Sequence, residues 1–268
     1  MKNIKKQKAV GVCAFFAFLF LSMGYALAAD MEFVGKVEGD TPLSHILRFY
    51  VEKFEPEEVF LEVDELPNET GRIRELYMDM TGVRIGRVRL DRLTAHMSDV
   101  QFNSPIEWEK GNVVCLDALQ TYAFCRLTDK DINDSLSDRV FGKDGKWHDI
   151  SLKISPDGLS ARGNYLAQIL FLSFDILIEF KSSLRIVNNK ELWLDKYEVF
   201  VNRMDVPDYI TEKAIGQIQP ILNLSRFPFP LKLNNVEFLK GEALLSTRVL
   251  PERLNNGFTC HFQANRAD

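Results

Sequence analysis

The sequence predicts an α+β fold: a long, curved sheet together with about three amphipathic helices. Two stretches of alternating apolar residues and three helix-start signals lead to this reading. The clearer stretch runs from Gln168 to Lys181, QILFLSFDILIEFK, with Leu170, Leu172, Phe174, Ile176, Ile178 and Phe180 on one parity and Ser173, Asp175, Glu179 and Lys181 on the other. Period two places the first set on one face of a strand. At about 3.3 Å per residue such a strand reaches roughly 45 Å, so its apolar face is a long strip that needs a long cover, whether helix, a second sheet or lipid.

The second stretch is RIRELYMDMTGVRIGRVRLDRLTAHMSDVQF, Arg72 to Phe102. Its alternation slips in phase near Gly82, Gly86 and Asp91, the pattern of bulges or bends in one long, curved strand. Glu58 to Glu65 and Leu119 to Leu127 read as further strands. Ser155-Pro156-Asp157-Gly158 reads as the turn of a hairpin. Asn188-Asn189-Lys190 separates strands at Ser183 to Val187 and Leu192 to Arg203, and Lys240-Gly241 separates the last two, Pro230 to Leu239 and Glu242 to Leu250.

The first helix is signalled by Thr41 as N-cap and Pro42 at the first helical position, followed by Leu43, Ile46, Leu47, Tyr50, Val51 and Phe54 at helical spacing. Thr128 or Asp129 caps a short second helix carrying Ile132, Leu136 and Val140. Pro207-Asp208 opens a third, with Ile210, Ala214, Ile218 and Ile221 on one face and an end or bend near Pro220.

At the N-terminus, Lys2, Lys5, Lys6 and Lys8 precede an apolar run from Ala9 to about Met23 and an Ala26-Leu27-Ala28 site. This order reads as a signal peptide over residues 1–28, cleaved after Ala28, and hence as an extracytoplasmic protein, periplasmic or secreted. The alternative is a tether, because Ala9 to Ala28 is long enough to span a bilayer uncleaved. Residues 29–268, with no linker or fixed-period repeat, read as one domain. Less the four leader lysines, 29 basic residues face 38 acidic ones. That acidic surplus argues against general nucleic-acid binding. Of the remaining cysteines, Cys115, Cys125 and Cys260, the first two are the nearest in sequence for a disulfide, with one thiol left over.

Little in the chain calls for catalysis. His45, His96, His148 and His261 are scattered, with no metal-ligand spacing. Asp129, Asp131, Asn133 and Asp134 resemble a calcium loop, but position six is Asp134 and position twelve Val140 where glycine and glutamate belong, which favours a helix start. Ser160, in Gly158-Leu159-Ser160-Ala161-Arg162, lacks the second glycine of a nucleophile elbow. No catalytic residue, metal or cofactor is assigned. Arg84, Arg87, Arg89 and Arg92, interleaved with Ile85, Val88 and Leu90, form a cationic edge suited to anionic headgroups or to a partner. The same arginines would also serve as a solvated sheet face paired with surface carboxylates.

With these elements in order, the chain resembles the LmeA-like phospholipid-binding family of secreted bacterial proteins. The resemblance is carried by the series from Gly71 to Phe102, by FCRLTDKDINDSL at Phe124 to Leu136, by ISLKISPDGLSARG, and by the closing FPLKLNNVEFLKGEALLSTRVL. It extends over about residues 43 to 251. It implies a fold similar to tubular lipid-binding (TULIP-like) domains, a long curved antiparallel sheet wrapped against about three amphipathic helices, with a groove for acyl chains and no catalytic residues to carry over. On that footing the expected ligand is a phospholipid or other acyl lipid, with transient contact to a membrane surface. Leu170, Leu172, Phe174, Ile176, Ile178 and Phe180 would line the groove, and Ile210, Ala214 and Ile218 would cover it. Burying about ten methylenes at roughly 0.8 kcal/mol each gives on the order of 8 kcal/mol before ordering costs, enough for micromolar retention. Two rivals stand beside this reading: a secreted structural or interaction module whose sheet is fully packed, and a hydrolase of envelope lipid or glycan with residues converging in a cleft.

Overall fold

The computed structural model describes residues 30–85, 88–137, 146–169, 172–207, 212 and 219–265. The expected signal segment and the third helix with Ile210, Ala214 and Ile218 lie outside them. Among the described residues no helix is long and apolar enough to cross a membrane.

Helix α1 (Pro42–Phe54) forms where the sequence places it. The Thr41 hydroxyl accepts a hydrogen bond from the Ser44 amide (3.2 Å), Pro42 occupies the first turn, and Glu55 ends the helix in the left-handed region. The spacing of its apolar residues buries Leu43, Ile46, Leu47, Tyr50 and Phe54, each with at most 2% of its surface exposed. Burial on that scale contributes about 1.5–3 kcal/mol per side chain and fixes the helix on the sheet.

That sheet holds eight of the described strands, in the order β1 (Met31–Val34), β14 (Phe258–Gln263), β2 (Glu58–Val63), β3 (Arg72–Ile85), β4 (Val88–Phe102), β5 (Cys115–Thr128), β13 (Glu242–Ser246), β12 (Asn235–Leu239). All neighbours are antiparallel except β1 and β14, where Met31 stands beside Cys260 in a parallel pair. The segment read as one bent strand from Arg72 to Phe102 is a hairpin. Ile85 faces Val88 across a two-residue connection, so the phase slip at Gly86 marks a reversal of the chain. The slip at Gly82 is a kink within β3: its φ is +62°, and a Cβ there would collide with the Glu57 side chain lying across it.

Cys115 and Cys125 do not form a disulfide; both, with Cys260, are free thiols. They sit on the single strand β5, where ten residues of extended chain hold them roughly 33 Å apart, far beyond the span of a disulfide.

The second sheet runs β10 (Met204–Asp205), β9 (Glu191–Val201), β8 (Leu172–Val187), β7 (Gly158–Ile169), β6 (Trp147–Ser155), with β11 (Leu222–Asn223) pairing the other edge of β9's start. Here too the expected long strand is divided. Ile169 faces Leu172, so the chain turns between them, and β8 then continues through Ser183 to Val187 as one strand. The hairpin at Ser155 to Gly158 forms as expected. Gly158 has φ +122°, and a Cβ on it would overlap the Ser182 carbonyl of the neighbouring strand.

The two sheets are stitched together by specific backbone contacts. The Gly241 amide donates to the Ile154 carbonyl (3.0 Å), and the Leu233 amide to the Asn189 carbonyl (2.8 Å). Helix α2 (Pro105–Trp108) buries Trp108 against Phe102. Helix α3 (Asp129–Ser137) spans the joint, starting where the Thr128 hydroxyl accepts from the Asp131 amide (3.1 Å), so the aspartates opening it form a helix start. From α3, Asn133 clamps Leu152 of β6 through both its amide and its carbonyl, each at 2.7 Å. The result is an α+β molecule dominated by large antiparallel sheets.

Candidate functional site

Between the two sheets lies an apolar cavity of about 260 Å³. Ile85, Val88, Leu90 and Leu93 of the β3–β4 hairpin form one wall with Leu127 and Leu245, while Leu152, Leu159, Leu184 and Leu192 close it from the second sheet. Ile132 of α3, Ala243 of β13 and Ile221, Leu224, Phe227, Leu231 and Leu233 complete the lining, in which none of the described residues is charged. Cys125 also faces it, and burial pushes its thiol up to about 12, so it is a neutral part of the wall.

Strand β8 meets this cavity through Leu184 alone among its described residues; Phe174, Ile176, Ile178 and Phe180, expected in the groove, do not line it. Its residues pair in unbroken register with β7, and the bulge opposite Lys181 and Ser183 falls on β9, where Lys196 has φ +48°. Alternation along β8 is therefore uninterrupted, and Phe174, Ile176, Ile178 and Phe180 share one face with Leu184 and Ile186. Leu184 reaches the cavity; Ile176, Ile178 and Phe180 are half-buried, and Phe174 is 46% exposed. Leu172 opens β8, whereas Leu170 lies outside the described residues.

A more open cleft of about 460 Å³ adjoins the cavity, sharing Ile85, Leu224 and Phe227 with it. The cavity alone falls short of the 300–1,000 Å³ usual for ligand sites; the cleft beside it lies within that range. Phe227, the partition, is held by Phe54 (ring centroids 5.5 Å apart) and Phe229 (4.7 Å). The cleft's charged residues are Lys53, at the end of α1, and Arg84, near the end of β3. Neither forms an ion pair among the described residues. Cys115 also lines this cleft; burial, then the Asp117 charge, pushes its thiol up to about 12, leaving it protonated and unreactive. A further cleft of about 250 Å³ shares Leu224 and Phe227 and carries Lys190 and Lys232.

The four arginines singled out in the sequence have different surroundings. Arg89 donates to Glu57 (2.7 Å) and pairs with the buried Asp131. Burial works against its charge, but these bonds and charges outweigh it and raise its pKa. Arg92 is held by Asp79, with Nε to Oδ1 at 2.7 Å. Arg84 is exposed at the cleft, and Arg87 lies outside the described residues. Sequence reasoning singled out Arg84 but not Lys53, Lys190 or Lys232, which lie on other elements and are brought near only by the fold.

The histidines do not converge. His96 meets Glu75 (2.8 Å), His261 meets Glu58 (2.7 Å), and His148 meets Asp149 (2.9 Å) and Asp175 (3.3 Å), each at a separate place on the sheets. Among the described residues no group of three or more histidine, cysteine or carboxylate side chains is arranged to hold a metal. The Ser160 hydroxyl is placed to donate to the Lys153 carbonyl (3.4 Å).

A cavity between two sheets with no charge among its described lining residues, beside a cleft holding two cations without ion pairs, has the chemistry to accept an amphiphile. The model of the LmeA-like phospholipid-binding family matches residues 69–248, about two thirds of the chain, and the protein belongs to that family. Every cavity-wall residue named above lies inside the matched span, whereas Lys53 precedes it. No curated protein and no solved structure matches the chain.

Proposed function

We propose that this is a non-catalytic, extracytoplasmic phospholipid-binding or lipid-carrying protein that handles envelope lipids. Its architecture is of the tubular lipid-binding type. Acyl chains enter the cavity between the sheets and extend along the β8 strip, while the lipid phosphate sits in the adjoining cleft with Lys53 and Arg84. The observation that carries this reading is the cavity lining: apolar walls recruited from both sheets, with no charge among the described residues, adjoining a cleft that holds two cations without ion pairs. Family membership supports the ligand class, and the basic, apolar, A-x-A order of residues 2–28 supports the compartment. The absence of charge suits hydrocarbon, because any unpaired polar group on that wall would be costly to bury. Guanidinium and ammonium groups suit a phosphate, the first as a planar fork and the second as a point charge.

The test is uptake of a labelled phospholipid by the wild type and by Leu184→Trp, which projects a larger side chain into the cavity. Uptake by the wild type and at least about tenfold weaker uptake by a folded Leu184→Trp is expected. Equal uptake by the two would reject the cavity as the acyl site.

A further inference from the structure

We infer that the cleft-bearing face around Phe227, which adjoins the cavity, docks on an anionic lipid bilayer. The inference rests on the proposed lipid site but concerns a different event, contact with a surface. Among the described residues, the two clefts that meet at Leu224 and Phe227 are lined by four basic side chains, Lys53 and Arg84 in one and Lys190 and Lys232 in the other, and by no carboxylate. This local bias runs against the chain as a whole, whose net charge is −5. None of the four forms an ion pair among the described residues, so their charges are available to a partner.

The same clefts expose aliphatic surface. Val114 lines the first and is 41% exposed; Leu116 lines the second and is 60% exposed. Unpaired lysine and arginine beside solvent-facing valine and leucine is the chemistry of an interfacial membrane contact, with aliphatic groups entering the headgroup boundary and cations meeting anionic lipids. An acidic protein partner would satisfy the cations but not the exposed Val114 and Leu116 beside them. A bilayer satisfies both charge and hydrocarbon, and it supplies the ligand.

The experiment is co-sedimentation of the protein with vesicles of phosphatidylcholine alone and of phosphatidylcholine and phosphatidylglycerol in equal parts, at low and high salt. Wild type, Lys190→Glu/Lys232→Glu and Leu116→Asp are compared, and lipid already held by each is measured separately by native mass spectrometry. The wild type is expected on the anionic vesicles only, weakened by salt. Each basic residue near such a surface is worth about fivefold in affinity, so the double variant should lose at least about twentyfold. Leu116→Asp should also bind less, and both variants should hold lipid as the wild type does. Equal binding to both vesicle types, no binding to either, or variants that sediment like the wild type would overturn the docking face. Loss of held lipid with vesicle binding intact would instead count against the cavity assignment and leave the docking face standing.

Discussion

Arg84 on β3 stands directly opposite Arg89 on β4, one residue back from the reversal of their hairpin, yet only Arg89 is neutralised. Glu57 crosses over Gly82 to reach Arg89, and Asp131 meets it from α3. Arg84 is left facing the cleft with Lys53. One cation is part of the joint between the sheet and its helix; the other is free for a ligand.

Replacing these two arginines should therefore give opposite phenotypes. Arg89→Ala strands the Asp131 carboxylate, which is 5% exposed and keeps only its Thr128 contacts, and should cost about 1–3 kcal/mol in a denaturant titration. Arg84→Ala should leave stability within about 0.5 kcal/mol and weaken retention of an anionic phospholipid several-fold. The reverse assignment of effects would remove Arg84 from the site.

Phe174 offers a way to interrupt the apolar strip without disturbing the core, since it is 46% exposed at one end of β8. Phe174→Asp should change stability by less than about 1 kcal/mol while reducing uptake of long-chain lipids more than short-chain ones. By contrast, Leu93→Ala in the cavity wall, where Leu93 is 2% exposed, should cost about 2–5 kcal/mol. If chain-length dependence is unchanged in Phe174→Asp, lipid does not reach that end of the strip.

Gly158→Ala should destabilise the second sheet by about 2 kcal/mol or more, because alanine strains a backbone at φ +122° and its methyl overlaps the Ser182 carbonyl. Thermal unfolding of the variant against the wild type measures this. An unchanged midpoint would contradict the close approach of β7 and β8.

His148 should titrate above its ordinary value of 6.5. Its hydrogen bond to Asp149 leads this shift; burial opposes it, and the charge of Asp175 adds to it. A raised folded-state pKa means that the charged imidazolium stabilises the fold fully below about pH 6.5 and loses its contribution as the pH rises through the raised value. Following the imidazole by NMR should show a midpoint above 6.5 that falls in Asp149→Asn. A midpoint insensitive to that change would contradict the pairing.

The elements that announced themselves did so through local chemistry. Thr41-Pro42 begins α1, Thr128 begins α3, and Ser155 to Gly158 turns where that tetrapeptide should. Reversals were harder to read than strands. A phase slip looks alike whether a strand bulges or turns back, so the Ile85 to Val88 hairpin read as curvature. Between Ile169 and Leu172 the sequence carries only Leu170 and Phe171, with none of the glycine, proline, asparagine or aspartate that marks a turn, and two strands read as one. Strand β1 has only four residues, and β14 carries only the brief alternation of Phe258, Cys260 and Phe262. The cavity was not legible at all, because its walls come from residues as far apart as Ile85 and Leu245 and its cations from the end of a helix and the end of a strand. The alternating face of β8 runs on to Leu184 in the cavity wall, but the residues singled out on it, Phe174 to Phe180, do not line the cavity.

The most direct measurement is native mass spectrometry, with organic extraction and lipid analysis, of the protein purified from its own compartment without detergent. A stoichiometric co-purified phospholipid, released when the cavity is filled by Leu184→Trp, is the expected result. A protein that carries no lipid and takes up none when it is offered would contradict the account and point to a fully packed interaction module.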